Sequence, residues 1–298
     1  MDIVDSQVHL GPGGAAEMVA AMNALGIRSA LIDEWWMGTA GDPGYRVGEG
    51  GKAFRTASPT AELASWTYPG RFAYIVRVDR WDPELRNVVK LARDCAHVRA
   101  LRVSPGMNRA EIADFTAGAF DGVFAAAADH GFPVFVQIAG QTHLLARYLK
   151  KFPSVKVIIC HCGMPPGRLL WPIFARMENL PDSQEYWGRI GSEPAEQAFD
   201  KVLEIAAFPN VALKWAHAPT MFDVPGYPND GLRPFLRKAL NAFGAERIMW
   251  ASDISANQTG ESWAELLFAI RENPDLSPAG KEHVLGRTAR AWLGWNQA

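Results

Sequence analysis

The chain is poor in cysteine. Cys95, Cys160 and Cys162 are its only three, too few for a disulfide framework, and an odd count leaves at least one free thiol. That scarcity fits a reducing compartment. An excess of charge of one sign is missing too: 30 Lys and Arg stand against 32 Asp and Glu, a formal charge of -2. A nucleic-acid binder needs a large basic excess, so no nucleic-acid partner is expected. No apolar run approaches the ~20 residues that span a bilayer, so no membrane partner is expected either. The opening MDIVDSQVHL carries acids where a secretory leader would carry lysines, which makes a cytoplasmic location the expectation. Linkers, low-complexity segments and charge runs are absent as well. Residues 1–298 therefore read as a single domain.

What is present is a repeated alternation. Eight short, apolar, β-branched runs qualify as strands: 3–10, 29–36, 71–79, 98–105, 133–140, 156–163, 210–217 and 247–254. Between them lie helical patterns such as AAEMVAAMNALG, PELRNVVKLARDC, AGAFDGVFAAAADHG and THLLARYLKKF, with apolar residues three and four apart. One strand and one crossover helix per unit, repeated eight times, is the count of an α/β fold of the (β/α)8 TIM-barrel type. A doubly wound sheet, with fewer strands per domain, is the competitor. The connections 37–70 and 164–196 are long. Both follow strands, on the face where barrels build active sites, so each is a candidate lid or an ordinary loop.

Polar side chains gather in the C-terminal halves of these strands. They are Asp5, Gln7 and His9, then Asp33 and Glu34, Arg77 and Asp79, Arg102 and Ser104, Gln137, His161, Lys214 and His217, and Asp253. Burying any of them unpaired would cost several kcal/mol. Convergence at the C-terminal mouth of a barrel explains them together. Strict alternation puts Asp5, Gln7 and His9 on one face. It also predicts that Cys160 and Cys162 face the helices if His161 faces inward, as buried structural thiols rather than metal ligands. His97, His130, His143 and His283 fall on helices or their ends and are expected to face solvent.

The motifs DSQVHL, ICHCG, VALKWAH and WASDI together resemble the amidohydrolase superfamily. The likeness is strongest to the amidohydrolase-related branch of 2-pyrone-4,6-dicarboxylate lactonase and sugar lactonases, and it spans residue 3 to about 295. It implies a hydrolase that opens a small lactone, carboxylated or sugar-derived. The chain departs from the pattern at Gln7, where the family's first metal-binding histidine usually stands, and at Gln137 on the fifth strand. A superfamily metal site would keep only His9, His161 and Asp253. A neutral amide oxygen is a weak donor to zinc, so working without a cofactor is favoured, with a divalent metal such as zinc left open.

Opening an activated ester needs a base for the attacking water and donors for the carbonyl oxygen. Asp253 is the base candidate, with its pKa expected to rise on partial burial. General-base help is typically worth ~10²–10⁴ in rate. His9 and His161, helped by Gln7, are the candidate donors, each typically worth ~3 kcal/mol. The competing structural role for Asp253 is to cap the following segment.

Arg77 and Arg102 suit a carboxylate through bidentate contacts, or else pair with Asp79 and other acids. Lys214, Trp215, His217, Glu34 and Gln137 complete the substrate-binding candidates. Trp35, Trp36, Trp81, Trp171 and Trp187 join Trp215 as candidate ring-stacking walls. The expected partner is a small molecule, and self-association is left open.

Three rivals remain. One is a metal-dependent decarboxylase or hydratase of a small unsaturated acid in the same superfamily. Another is a barrel that only binds ligand. The third is an NAD-binding oxidoreductase, read from Gly11-Pro12-Gly13-Gly14-Ala15-Ala16 with Glu34 about 20 residues later.

Overall fold

The computed structural model describes residues 1–11, 13–34, 44–107, 109–165, 183–224, 226–254 and 261–296. Every one of the eight expected strands forms. They are β1 (Ile3–Val8), β2 (Ile27–Asp33), β5 (Phe72–Arg77), β6 (Val98–Val103), β7 (Val134–Val136), β8 (Val157–Ile159), β9 (Val211–Ala216) and β10 (Ile248–Ala251). All their pairings are parallel, in the order β1-β2-β5-β6-β7-β8-β9-β10. A parallel bridge from Val8 to Ile254 and the bond His9 N–H to Ile254 C=O at 2.9 Å close the ring. The fold is a (β/α)8 barrel. The doubly wound alternative needs an open sheet and is set aside.

One pair of strands was not expected. The Gly-rich stretch after residue 43 folds into an antiparallel hairpin of β3 (Gly44–Val47) and β4 (Ala53–Thr56). Asp79, expected as a partner for Arg77, instead accepts the N–H of Phe54 at 2.9 Å and of Trp81 at 2.8 Å. Arg55 binds Asp82 through two bonds of 2.7 and 2.6 Å, so the hairpin is fastened to the loop after β5. Segments 37–43 and 166–182 of the two candidate lids, with Trp35, Trp36 and Trp171, lie outside the described residues, as does the side chain of Trp187.

The core has two layers. Outward-facing strand residues such as Val134, Ile159, Leu213 and Trp250 pack against the helices. Inward-facing Val4, Leu31, Ala73, Ile75, Ala100, Phe135, Ile158, Ala212 and Met249 fill the barrel floor, which Leu293 and Trp295 plug from below. Each fully buried large side chain contributes roughly 1.5–3 kcal/mol. Because strand residues alternate, the next inward positions up the barrel follow at once. Above Leu31 stands Asp33, above Ile75 Arg77, above Ala100 Arg102, above Phe135 Gln137, and above Ala212 Lys214. An apolar floor thus carries a polar mouth.

Strict alternation fails at two places where it was expected to hold. The β1–β2 register shifts between Asp5 and Val8. The slip turns Gln7 to the interior, whereas Asp5, next to inward-facing Val4, points outward. Its carboxylate accepts the indole N–H of Trp263 at 2.8 Å and the backbone N–H of Ser252 at 3.0 Å, stitching the barrel seam. Burial outweighs these bonds and raises its pKa to about 6. After β8, His161 and Cys162 take left-handed backbone angles, φ 51° and 54°. Cys160, still extended, keeps the inward parity of Ile158 and packs in the barrel floor, while the turn brings His161 to the mouth and leaves Cys162 against the helices. Both are buried free thiols, and burial pushes the Cys162 thiol up to about 12, far from thiolate reactivity.

Candidate active site

Asp253 follows β10 in the left-handed region, φ 55°, and its N–H donates to the Gln7 carbonyl at 2.9 Å. Four side chains meet its buried carboxylate. Oδ2 lies 2.6 Å from His161 Nε2 and 3.3 Å from His217 Nε2. Oδ1 lies 3.0 Å from His9 Nε2 and accepts the amide N–H of Gln7. The side-chain amide oxygen of Gln7, Oε1, in turn accepts from Lys214, whose ammonium sits 5.2 Å from the centre of the Phe135 ring. The rings of His161 and His217 lie nearly parallel, 6.1 Å apart.

Gly163 completes the turn that presents His161. It has φ 67°, and a Cβ there would come within 2.7 Å of Val202. His161, His217 and Asp253 all sit at positive φ, a conformation that costs a non-glycine residue roughly 1–3 kcal/mol and persists where its surroundings enforce it.

The electrostatics correct one expectation. Burial alone would raise the Asp253 pKa, but the adjoining His161 and the hydrogen bonds from His161, His217 and His9 outweigh it. The acid lies well below the usual carboxylate range and is ionised. Burial pulls His161 down to about 4, so this ring is neutral near pH 7. Its Nε2–H therefore donates to Asp253, and its buried Nδ1, which has no hydrogen-bond partner among the described residues, is a bare lone pair. Burial also opposes charge on His217, yet its hydrogen bonds to Asp253 and Glu261 prevail and lift it to about 10. One imidazolium and one neutral imidazole share the same carboxylate oxygen.

A second buried carboxylate organises the wall on the other side of β1. Arg77 grips Asp33 through two bonds of 2.9 and 2.7 Å, and Arg102 donates to the same Asp33. Arg102 also donates to Gln137 Oε1 at 2.6 Å. The two guanidiniums overcome burial and hold Asp33 far below its ordinary pKa. His9 joins the walls, with Nδ1 only 2.5 Å from the Asp33 carbonyl.

Asp253, His161, His9, Gln7, His217 and Lys214 thus form one contact network, and Arg77, Arg102 and Gln137 form its neighbour. Two of the expected residues lie elsewhere. Trp215 points outward, stacked on Phe222 at 5.6 Å and edge-on to Phe199, because it has the opposite parity to Lys214. Glu34, opposite in parity to Asp33, accepts the N–H of Thr60 at 3.3 Å and of Ala61 at 2.7 Å, closing the N-terminus of the helix Pro59–Thr67. That use removes the acidic anchor from the dinucleotide reading, and a closed barrel offers no open-sheet crevice for it.

Two residues complete the site beyond the expected set. Asp33, already counted among the polar residues of the mouth, could have been assigned to the interior by counting parity up from Leu31. Glu261, which binds His217 Nδ1 at 3.1 Å, lies beyond β10 with no periodic pattern to mark it.

A barrel with an apolar floor and this polar mouth is the architecture of a barrel enzyme. The chain belongs to the amidohydrolase family, whose model matches residues 37–295. Among solved structures it is similar to a zinc-bound amidohydrolase from Burkholderia multivorans, with TM-score 0.70, 18% identity and 99% of each chain covered. It is also similar to a candidate 2-pyrone-4,6-dicarboxylic acid hydrolase from Pseudomonas putida, with TM-score 0.65, 19% identity, and 100% of this chain and 99% of that one covered. A third is 5-carboxyvanillate decarboxylase from Novosphingobium aromaticivorans, complexed with manganese and 4-hydroxy-3-methoxy-5-nitrobenzoic acid. There the TM-score is 0.60 and the identity 15%, over 98% of this chain and 96% of that one. No curated protein sequence matches. At these identities the likeness establishes the fold, and a fold alone does not set the reaction.

His9, His161 and Asp253 are of the right chemical type for zinc or manganese. Their arrangement does not fit such an ion. Donors on a tetrahedral zinc, each at ~2.0–2.2 Å, stand ~3.3 Å from one another. His161 and Asp253 are 2.6 Å apart, a hydrogen-bond distance. A ligating histidine almost always anchors its other nitrogen, and the Nδ1 of His161 has no such partner among the described residues. No group of three His, Cys, Asp or Glu among those residues is arranged to hold a metal.

Proposed function

We propose that the protein hydrolyses a small lactone bearing a carboxylate, with Asp253 as the group that receives the proton of the attacking water. The observation that carries this reading is the convergence of three imidazoles and one amide on a single carboxylate at the barrel mouth. Without substrate, those donors are spent on Asp253 and make it a weak base. A bound ester carbonyl offers its oxygen to the same donors. As the N–H groups of His9, His161 or Gln7 turn to that oxygen, they stabilise its developing charge. Asp253 loses the bonds that depressed its pKa and becomes a stronger base when water is to be activated. The leaving alkoxide then needs a proton, and His217, the charged imidazole, is placed to donate one.

The electrostatic balance favours an anionic substrate. Arg77, Arg102, Lys214 and His217 face Asp33, Asp253 and Glu261, one more basic group than acidic. Arg77 is the better anchor, since its side chain keeps 19% exposure against 3% for Arg102. The bland alternative for both arginines, ion pairing inside the barrel, is also real, with Asp33 rather than Asp79 as the acid.

The experiment is a panel of carboxylated and sugar lactones followed with a pH indicator, with and without chelator. Turnover of a carboxylated lactone is expected, and Asp253→Asn should lower kcat at least about a hundredfold. An undiminished rate in that variant would remove Asp253 from the chemistry. The second reading is decarboxylation, favoured by the manganese-bearing neighbour. It would show as release of CO2 from an aromatic or unsaturated acid, silenced by chelator, with about one metal ion per chain in the purified protein.

A further inference from the structure

Glu261 is not used in the steps above, yet it is tied to the cluster that performs them. It immediately precedes the helix Trp263–Arg271, and an acid at that place would ordinarily serve as a cap. That helix is already closed by its own residues. Ser262 Oγ accepts the Glu265 N–H at 3.2 Å, and the Glu265 carboxylate accepts the Ser262 N–H at 2.9 Å. The carboxylate of Glu261 reaches instead across to the loop after β9. Oε1 accepts the hydroxyl of Thr220 at 2.6 Å, and Oε2 lies 3.1 Å from His217 Nδ1. On the far side of the same ring, His217 Nε2 stands 3.3 Å from Asp253.

His217 needs such support. Its backbone is left-handed, φ 48°, and it initiates only a short helix, Ala218–Met221. An imidazole has two broad orientations about its outer torsion, so the groups that bind its two nitrogens decide which one faces Asp253. Thr220 belongs to that same short helix, and its N–H donates to the His217 carbonyl at 3.0 Å. One carboxylate thus grips both the ring and the turn that carries it.

We infer that Glu261 is a positioning residue. By bridging Thr220 and His217 it fixes the His217 ring with Nε2 toward Asp253, and so toward the oxygen that leaves. The assignment rests on the reading that the Asp253 cluster is the reaction centre. A ring free to rotate would still allow substrate to bind but would seldom present its donor, so the effect belongs in kcat and not in KM.

The test uses crystal structures and kinetics of the wild type, Glu261→Ala, Glu261→Gln and Thr220→Val. In the wild type and in Glu261→Gln, whose amide oxygen can still accept from Nδ1, His217 should face Asp253. In Glu261→Ala it should turn away. On the substrate the wild type turns over, Glu261→Ala should lose about 10–100-fold in kcat with KM nearly unchanged, the scale typical of removing the outer hydrogen-bond partner that orients a metal-bound histidine. Glu261→Gln should restore most of it, and Thr220→Val should cost a few-fold. A ring still on Asp253 in Glu261→Ala overturns the inference. So does a parallel loss of kcat, KM and thermal stability that glutamine fails to rescue. Should Glu261→Ala not fold, an unchanged kcat in Thr220→Val overturns it equally. If no lactone is opened, the proposed reaction falls, while the ring orientation in the crystal structures still decides the role of Glu261.

Discussion

Asp33 and Asp253 flank β1 at the barrel mouth, both buried, both ionised, and neutralised in opposite ways. Asp33 ends a regular strand, in register with Ile75, and is held by the guanidiniums of Arg77 and Arg102. Those partners never change protonation state, and their forked geometry matches a carboxylate. Asp253 sits on strained backbone and is held by imidazoles and an amide. Those partners can turn, and an imidazole, unlike a guanidinium, can give up or take a proton. The arginine wall fixes a charge, while the histidine wall can move one. Strain and exchangeable donors occur together on the second wall alone, which is where chemistry is expected.

The largest effect expected from breaking this contrast is in stability. Asp33→Ala strands two buried guanidiniums, and loss of one partner of a buried ion pair typically costs about 3–5 kcal/mol. Urea denaturation should show it as a lowered midpoint. Asp253→Asn should lower the midpoint less, because Glu261 remains as an anion beside His217, while turnover collapses. Asparagine tolerates the left-handed backbone that position 253 requires, and its amide can still accept from the imidazoles. If Asp253→Asn unfolds the protein while Asp33→Ala only slows it, the two walls have been assigned the wrong way round.

Much of this was legible in the sequence, and the failures have physical causes. The eight strands could be read because buried parallel strands are short apolar runs, and the mouth because polar side chains interrupt them only at one end. Parity from the floor residues places Arg77, Arg102, Gln137 and Lys214 inside the barrel. Parity fails between Asp5 and Gln7, where the strand slips register, and at His161, where the chain enters a left-handed turn. No periodic pattern encodes either event. The direction of the Asp253 pKa was misjudged for a related reason: burial is visible in a strand-end position, whereas the number of donors that will surround it is a property of the closed ring. Glu34 was taken as a substrate-binding candidate, although alternation from Leu31 points it away from the interior.

Smaller effects appear in the pH dependence of stability, and they separate the two histidines that share Asp253. For His217 the folded pKa, about 10, lies above the unfolded value near 6.5. Its stabilisation is complete below pH 6.5 and is lost as pH rises toward 10. For His161 the folded pKa, about 4, lies below the unfolded value, so its contribution is complete above pH 6.5 and is lost as pH falls toward 4. A plot of thermal midpoint against pH should therefore decline on both sides of neutrality. His217→Asn, with a residue that accepts φ 48°, should flatten the alkaline limb alone. An alkaline limb that keeps its slope in this variant would mean that His217 is not the charged partner of Asp253.

The smallest expected effect tests how far the arginine wall extends. Glu34 adjoins Asp33 in the chain, and if it shared in substrate binding its removal would be felt in KM. The structure uses it otherwise. The helix Pro59–Thr67 has Ser58 at its cap position with no side-chain hydrogen bond, and Glu34 supplies the missing acceptor to Thr60 and Ala61 from outside the helix. A carboxylate there also meets the positive end of the helix dipole. Loss of such a cap costs about 1 kcal/mol. Glu34→Ala should thus lower the urea midpoint slightly and leave kcat and KM where they were. A tenfold rise in KM without a change in stability would move Glu34 into the binding site and make the wall continuous from Gln137 to the hairpin. Because the predicted outcomes differ in kind as well as in size, a single pair of measurements on this one variant decides between them.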